Sequence, residues 1–120
     1  MSLSRDAILA AVDSAVQEVD VPEWGGKVLV RVLSGTERDA MEAEVTGNGG
    51  KLRPNFRGRF AALVLADPDG KRIFTDADAV TLGKKAASAL SRIMDAALAL
   101  NRIGAGEVTA ALGESEGVQS

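Results

Sequence analysis

The side chains with the most evident chemistry are spaced carboxylates near the middle of the chain, at Asp67, Asp69, Asp76 and Asp78. Spaced carboxylates around a glycine are the ingredients of a calcium-binding loop. The register does not fit, because setting Gly70 at the invariant turn position puts Leu65 at the first ligand position and Asp76, not a glutamate, at the last. We therefore interpret these aspartates as turn and helix-cap residues.

Other reactive groups are few. Four Gly-Lys pairs lack the following Ser or Thr and the glycine five residues earlier that a phosphate-binding loop needs. Ser88 beside Lys84 or Lys85 is formally a Ser-Lys pair, but solvation on a helix surface is the favoured interpretation. The chain has no histidine and no cysteine, which removes the usual general base and the commonest metal ligands. We predict no catalytic residue, cofactor or metal, and a protein that is not an enzyme.

Arginines alternate with phenylalanines in one segment, at Arg53, Phe56, Arg57, Arg59 and Phe60. Such a cluster could bind an acidic strip of a protein or a nucleic-acid backbone. The favoured interpretation is an amphipathic helix with core phenylalanines and solvated arginines. The net charge of −3 and the pI of about 4.9 argue against a nucleic-acid partner.

The elements that position these side chains begin with an alternating run. Val16–Val21 and Lys27–Leu33 predict two strands joined by a tight turn over Pro22–Gly26, where Gly25 and Gly26 supply positive φ angles. Trp24 at the tip is either a staple over the core or an exposed anchor. Because two strands alone are marginally stable, the hairpin needs a covering layer of helices.

The covering helices follow from cap and stripe patterns. Ser34 and Glu37 have capping-box spacing and predict a helix over about 36–45 with Glu37 and Glu44 facing solvent. Asn55 is the expected N-cap of a helix that carries Phe56 and ends near Ala66. The remaining elements are a helix over 5–14 capped by Ser4, a mobile loop over 46–54, a turn over 67–70, an extended piece over 71–74, a helix start at Thr75 broken at Gly83, and a long helix over 84–103.

The length of 120 residues suits one domain. We predict an α+β fold in which an antiparallel hairpin packs against several helices and the long helix is C-terminal. The domain is expected to span 1–106, followed over 107–120 by a short helix and a flexible tail. No secretory signal or membrane span is recognisable, which predicts a soluble, intracellular protein.

Three ordered segments carry a family resemblance: Val21-Pro22-Glu23-Trp24-Gly25-Gly26, Val30 to Asp39, and Asp67 to Asp76. Together with Phe56-Arg57-Gly58-Arg59-Phe60 and Leu100-Asn101-Arg102, they resemble the tail assembly chaperones of siphovirus-type phages and prophages. The likeness covers about residues 1–106. It contains no catalytic motif.

The resemblance implies a small, non-enzymatic α+β protein that coats the tape-measure protein before the tail tube polymerises around it. It further implies self-association, a host-cytoplasmic location, absence from the mature virion, and recruitment of the tail-tube protein mainly by a frameshifted longer form. Shielding an aggregation-prone helix requires exposed apolar surface on a soluble carrier. The candidate partner-binding residues are Trp24, Phe56, Arg57, Arg59 and Met94, although core filling also suits Met94 and Met41. The alternative function is a minor structural, tail-completion or connector protein of the virion.

Overall fold

The computed structural model describes residues 2–47 and 51–102. The helices in this part are α1 (Arg5–Ala10), α2 (Gly35–Thr46), α3 (Phe56–Val64), α4 (Ala79–Leu82) and α5 (Ala87–Asn101). The strands are β1 (Val16–Val21), β2 (Gly26–Arg31) and β3 (Leu65–Ala66), with short 3₁₀ turns at Pro22–Trp24 and Asp76–Asp78. This arrangement confirms the predicted α+β class with an antiparallel hairpin and a long C-terminal helix.

The hairpin has the predicted pairing. β1 runs antiparallel to β2, with Val16 opposite Arg31 and Val21 opposite Gly26. Gly25 supplies the left-handed residue of the turn at φ +73°. The prediction of a positive φ at Gly26 was wrong, because Gly26 already begins the extended strand β2. The second strand ends at Arg31, two residues before the predicted end at Leu33, because the chain there turns towards α2.

A third strand was not predicted. The helix expected to reach Ala66 ends at Val64, and Leu65 and Ala66 pair with Val30 and Leu29 of β2. The Asp67–Gly70 turn then brings the chain back, so that Arg72 forms an isolated bridge with Ala66. The sheet order is therefore β1-β2-β3, and β3 covers what would otherwise be a free edge of β2.

The core lies between this sheet and the helices α3 and α5. Ile93 and Ala97 of α5 and Phe60 of α3 are at most 1% exposed. Helix α5 begins at Ala87, three residues later than predicted, because the chain turns over 84–86 after Gly83 ends α4. It ends at Asn101, two residues before the predicted end, because Arg102 has a left-handed backbone at φ +56°. The helix and tail predicted over 107–120 and residues 48–50 of the predicted mobile loop lie outside the described residues.

The N-terminal helix α1 is shorter than predicted. Ser4 caps it as expected, its hydroxyl accepting a hydrogen bond from the backbone N–H of Ala7 at 3.1 Å. The helix ends at Ala10 rather than Ser14, and none of its residues is buried. Without an apolar partner surface, so short a helix has little to stabilise further turns.

Candidate protein-binding groove

Helix α2 begins at a complete capping box. The Ser34 hydroxyl accepts a hydrogen bond from the Glu37 N–H at 3.1 Å, and the Glu37 carboxylate accepts one from the Ser34 N–H at 3.0 Å. This confirms the sequence prediction. Further along the helix, Met41 and Val45 are buried, whereas Ala40 and Ala43 are exposed. Helix α2 therefore attaches to the domain along a narrow stripe.

An open groove of about 410 Å³ lies between α2 and α3, and we call it the α2–α3 groove. Its lining consists of apolar side chains and a rim of charged ones. The apolar residues are Ala40, Met41, Phe56, Phe60, Leu63 and Ala79. The charged residues are Glu37, Glu44, Arg53, Arg59 and Asp76. An apolar floor with a polar rim is the general form of a protein-binding surface.

The first rim carboxylate, Glu37, is held by a buried arginine. Arg31 donates from Nη1 and Nη2 to the two carboxylate oxygens at 3.0 and 2.7 Å, and from Nε to the carbonyl oxygen of Leu63 at 2.9 Å. The hydrogen bonds from Arg31 to the carboxylate, together with those at the Ser34 cap, lower the pKa of Glu37 from 4.5 to about 2. The prediction that Glu37 faces solvent was wrong, because Arg31 on β2 is only 8% exposed and its buried charge requires a partner.

The second rim carboxylate, Glu44, lies two helical turns further along the same face of α2. It accepts hydrogen bonds from Arg59 Nη1 at 2.7 Å and Nη2 at 2.5 Å, and from Arg53 Nη2 at 3.2 Å. The arginines lower the pKa of Glu44 to about 2. Glu44 and Arg59 were both expected to be solvated, and both expectations were wrong. The Arg59 guanidinium also lies 5.6 Å from the centre of the Phe56 ring.

The aspartates that suggested a metal site have local structural roles. The Asp67 carboxylate accepts hydrogen bonds from the N–H groups of Asp69 and Lys71 at 2.8 and 3.0 Å, within a turn closed by Gly70. Asp78 accepts from the Thr75 N–H at 2.8 Å in a capping box. These contacts confirm the turn and cap interpretation. Within residues 2–47 and 51–102, no cluster of acidic side chains has the arrangement of a metal site.

The groove and its paired rim suit a protein partner, and comparison with known families agrees. Residues 4–113 match the family model of phage tail assembly chaperones. The chain belongs to this family. The match confirms the sequence resemblance and supports a role in tail assembly that involves protein partners. No match was found among curated proteins or among solved structures.

The five candidate partner-binding residues occupy different parts of the tail assembly chaperone. Phe56 and Arg59 line the α2–α3 groove, although Phe56 is only 4% exposed. Met94 is 5% exposed and fills the core, as does Met41. Trp24 is half-buried against the core, and Arg57 lines a second hollow. Their roles in partner binding remain predictions.

Sequence reasoning missed the groove itself. Ala40, Leu63 and Ala79 of the tail assembly chaperone line it, and none had been singled out as a surface residue. One available signal was the seven-residue separation of Glu37 and Glu44, which places both on one helix face next to Ala40.

Among the described helices of this chaperone, no helix combines the length and the apolar character that crossing a membrane requires.

Proposed function

We propose that this tail assembly chaperone binds an apolar helical segment of the phage tape-measure protein in the α2–α3 groove. Binding there would keep the tape-measure protein from aggregating until the tail tube assembles around it. The observation that supports this proposal is the open groove with an apolar floor on a small acidic protein. A concave, mainly apolar site with a few polar groups at its edge is the usual form of a binding site.

The rim indicates what kind of partner fits. Glu37 is paired with Arg31, and Glu44 with Arg59 and Arg53, so the rim offers little unbalanced charge. A charged partner would have to compete with these pairs, whereas an apolar helix face need not. Helices that lie in such grooves present apolar anchors at i, i+3, i+4 and i+7. A long tape-measure helix with an apolar face meets that description.

We infer the rest of the proposed cycle from the family to which the chain belongs. The chaperone acts in the host cytoplasm, before the tail is complete, and leaves as tube subunits take its place on the tape-measure protein. Those subunits are brought mainly by a longer, frameshifted form of the chaperone. The virion then contains none of it. A net charge of −3 helps to keep the loaded chaperone soluble.

Two substitutions on one helix test the groove. Ala40 and Ala43 are both exposed on α2, but only Ala40 lines the groove. Ala40→Gln places an uncharged polar amide in the groove, and Ala43→Gln adds the same group outside it. Burying an amide without a partner costs about 1–3 kcal/mol, so Ala40→Gln is expected to weaken tape-measure binding roughly tenfold or more. Ala43→Gln is expected to bind like the parent.

The measurement is co-purification with the tape-measure protein of the same phage, followed by titration of the purified proteins. No association of the parent chain at any salt concentration would refute the proposal. Equal effects of the two substitutions would exclude the groove as the contact. Recovery of the chain from purified, washed virions would favour the alternative, a minor structural or connector protein.

A further inference from the structure

The N-terminal segment carries apolar side chains that no residue within 2–47 and 51–102 covers. Ile8 and Leu9 of α1 are 57% and 68% exposed, and the flanking Leu3 and Val12 are 69% and 89% exposed. Single exposed aliphatic residues are ordinary, but four within ten residues form an apolar segment. None of them lines the α2–α3 groove of the same chain.

The segment is attached by a short tether. The Ala15 carbonyl accepts a hydrogen bond from the Val32 N–H at 3.0 Å, which extends the hairpin pairing beyond Val16. Ser14 lies against the turn at Gly70, where an added Cβ would be 3.4 Å from the Ser14 Cβ. Only Ala11 to Asp13 remain between the helix and these contacts, a span of about 10 Å when extended. Helix α1 is thus an arm that projects from the domain.

The arm and the groove match in size and charge. Six helical residues are about 9 Å long, and a groove of about 410 Å³ is near the small end of binding sites, which suits a few side chains. The charges of α1 are Arg5 and Asp6, which lie 3.5 Å apart and neutralise each other. The rim charges of the groove are also paired. Docking of α1 in the groove would therefore bring apolar side chains together without burying an unpaired charge.

We propose that α1 of one copy docks in the α2–α3 groove of a second copy. No residue of α1 lines the groove of its own chain, which favours a neighbouring chain over the same chain. This contact depends on the groove and not on which client the groove receives. If the tape-measure protein displaces the arm, self-association and client binding are mutually exclusive. This further step rests on the proposed function.

The absence of cysteine from the chain allows a direct test. One population carries Leu9→Cys and a second carries Ala40→Cys, and the two are mixed and oxidised. We expect a covalent mixed dimer to form at least about tenfold faster than with Ala99→Cys, an exposed alanine on α5 outside the groove. Adding Ile8→Asp to the Leu9→Cys chain is expected to lower the rate to that of the Ala99→Cys control.

Three outcomes would overturn the inference. The first is a mixed dimer that forms no faster than the control, and the second is an Ile8→Asp substitution that has no effect on the rate. The third is a double variant, Leu9→Cys with Ala40→Cys, that cross-links only within one chain. Purified tape-measure protein is then added to the mixture. If cross-linking persists undiminished, the arm contact holds and the groove is not the client site. If the tape-measure protein binds in an Ala40→Gln-sensitive manner while no mixed dimer forms, the proposed function holds and the arm contact fails.

Discussion

Glu44 of α2 and Arg59 of α3 join the two walls of the groove through paired hydrogen bonds of 2.7 and 2.5 Å. The side chains are 12% and 27% exposed, so water screens them only in part. Two parallel hydrogen bonds between a guanidinium and a carboxylate fix orientation as well as distance. The pair therefore sets how far α2 stands from α3, and with it the width of the groove.

Glu44→Gln is expected to destabilise the fold by about 2 kcal/mol at neutral pH, because it leaves Arg59 without its charged partner. The folded-state pKa of Glu44 is about 2 and its ordinary value is 4.5. A lowered pKa stabilises the fold fully above the ordinary value, and this contribution is lost as the pH falls through the folded value. The difference between parent and variant should thus shrink between about pH 4.5 and pH 2. Urea unfolding at a series of pH values measures it.

Glu42→Gln is the matched control on the same helix. Glu42 pairs with Arg38 at 3.2 Å, but both side chains are at least 40% exposed. Exposed pairs of this kind contribute about 0.3–0.5 kcal/mol, so the control should change stability little at any pH. Equal losses in the two variants, or a Glu44→Gln loss that does not depend on pH, would show that the groove pair is not a stabilising contact.

Local patterns account for what the sequence predicted well. The capping box of Ser34 and Glu37 and the turn at Asp67 each lie within a few residues, and their hydrogen bonds are made by the residues that define them. The hairpin is also local, since β1 and β2 are separated by a short turn. Most of the secondary structure and the fold class could therefore be predicted from the sequence, and the family could be recognised from ordered segments.

The missed features depend on partners far along the chain. Strand β3 has two residues and no pattern of its own, and it exists because Val30 offers a free edge to Leu65. The partner of Glu44 is 15 residues away across a loop, so spacing on α2 alone cannot identify it. The groove follows from how α2 and α3 sit together. A residue such as Met94, which was chosen as a candidate contact because of its type, therefore lies in the core.

Asn101 provides a second long-range contact that can be tested. Its Oδ1 accepts a hydrogen bond from the Leu33 N–H at 2.7 Å, and its Nδ2 donates to the carbonyls of Ala97 and Arg31 at 2.9 and 3.3 Å. Asn101→Ala should cost about 2 kcal/mol, since it leaves the buried Leu33 N–H unpaired. The melting temperature should fall by about 10 °C for a domain of this size.

The Asn101→Asp substitution distinguishes the contribution of the Oδ1 acceptor to stability from that of the Nδ2 donor. It keeps an oxygen near Leu33 but replaces the Nδ2 donor with a second oxygen that faces two carbonyl groups. We expect a loss at least as large as that of Asn101→Ala at neutral pH, because a buried carboxylate beside carbonyl oxygens is costly. A melting temperature equal to that of the parent would show that the two donor contacts contribute nothing.

Gly83 is a glycine for reasons of space and not of backbone conformation. Its φ of −63° suits any residue, but an added Cβ would lie 2.9 Å from Cγ of Asn55 and closer still to its Oδ1. Gly58 packs against the same Asn55 amide from another side. The Asn55 Nδ2 donates a hydrogen bond to the Ala79 carbonyl at 2.9 Å. Gly83→Ala must displace this side chain, so we expect a loss of about 1–2 kcal/mol from the broken hydrogen bond.

The double variant reverses the sign of that effect. Asn55→Gly removes the obstructing side chain and tolerates the left-handed backbone of position 55, where φ is +62°. In that background Gly83→Ala should be neutral or stabilising by up to about 1 kcal/mol, because alanine restricts the unfolded chain more than glycine does. Urea unfolding of the four proteins gives the coupling energy. If the Gly83→Ala loss is the same in both backgrounds, the Asn55 side chain is not what requires a glycine there.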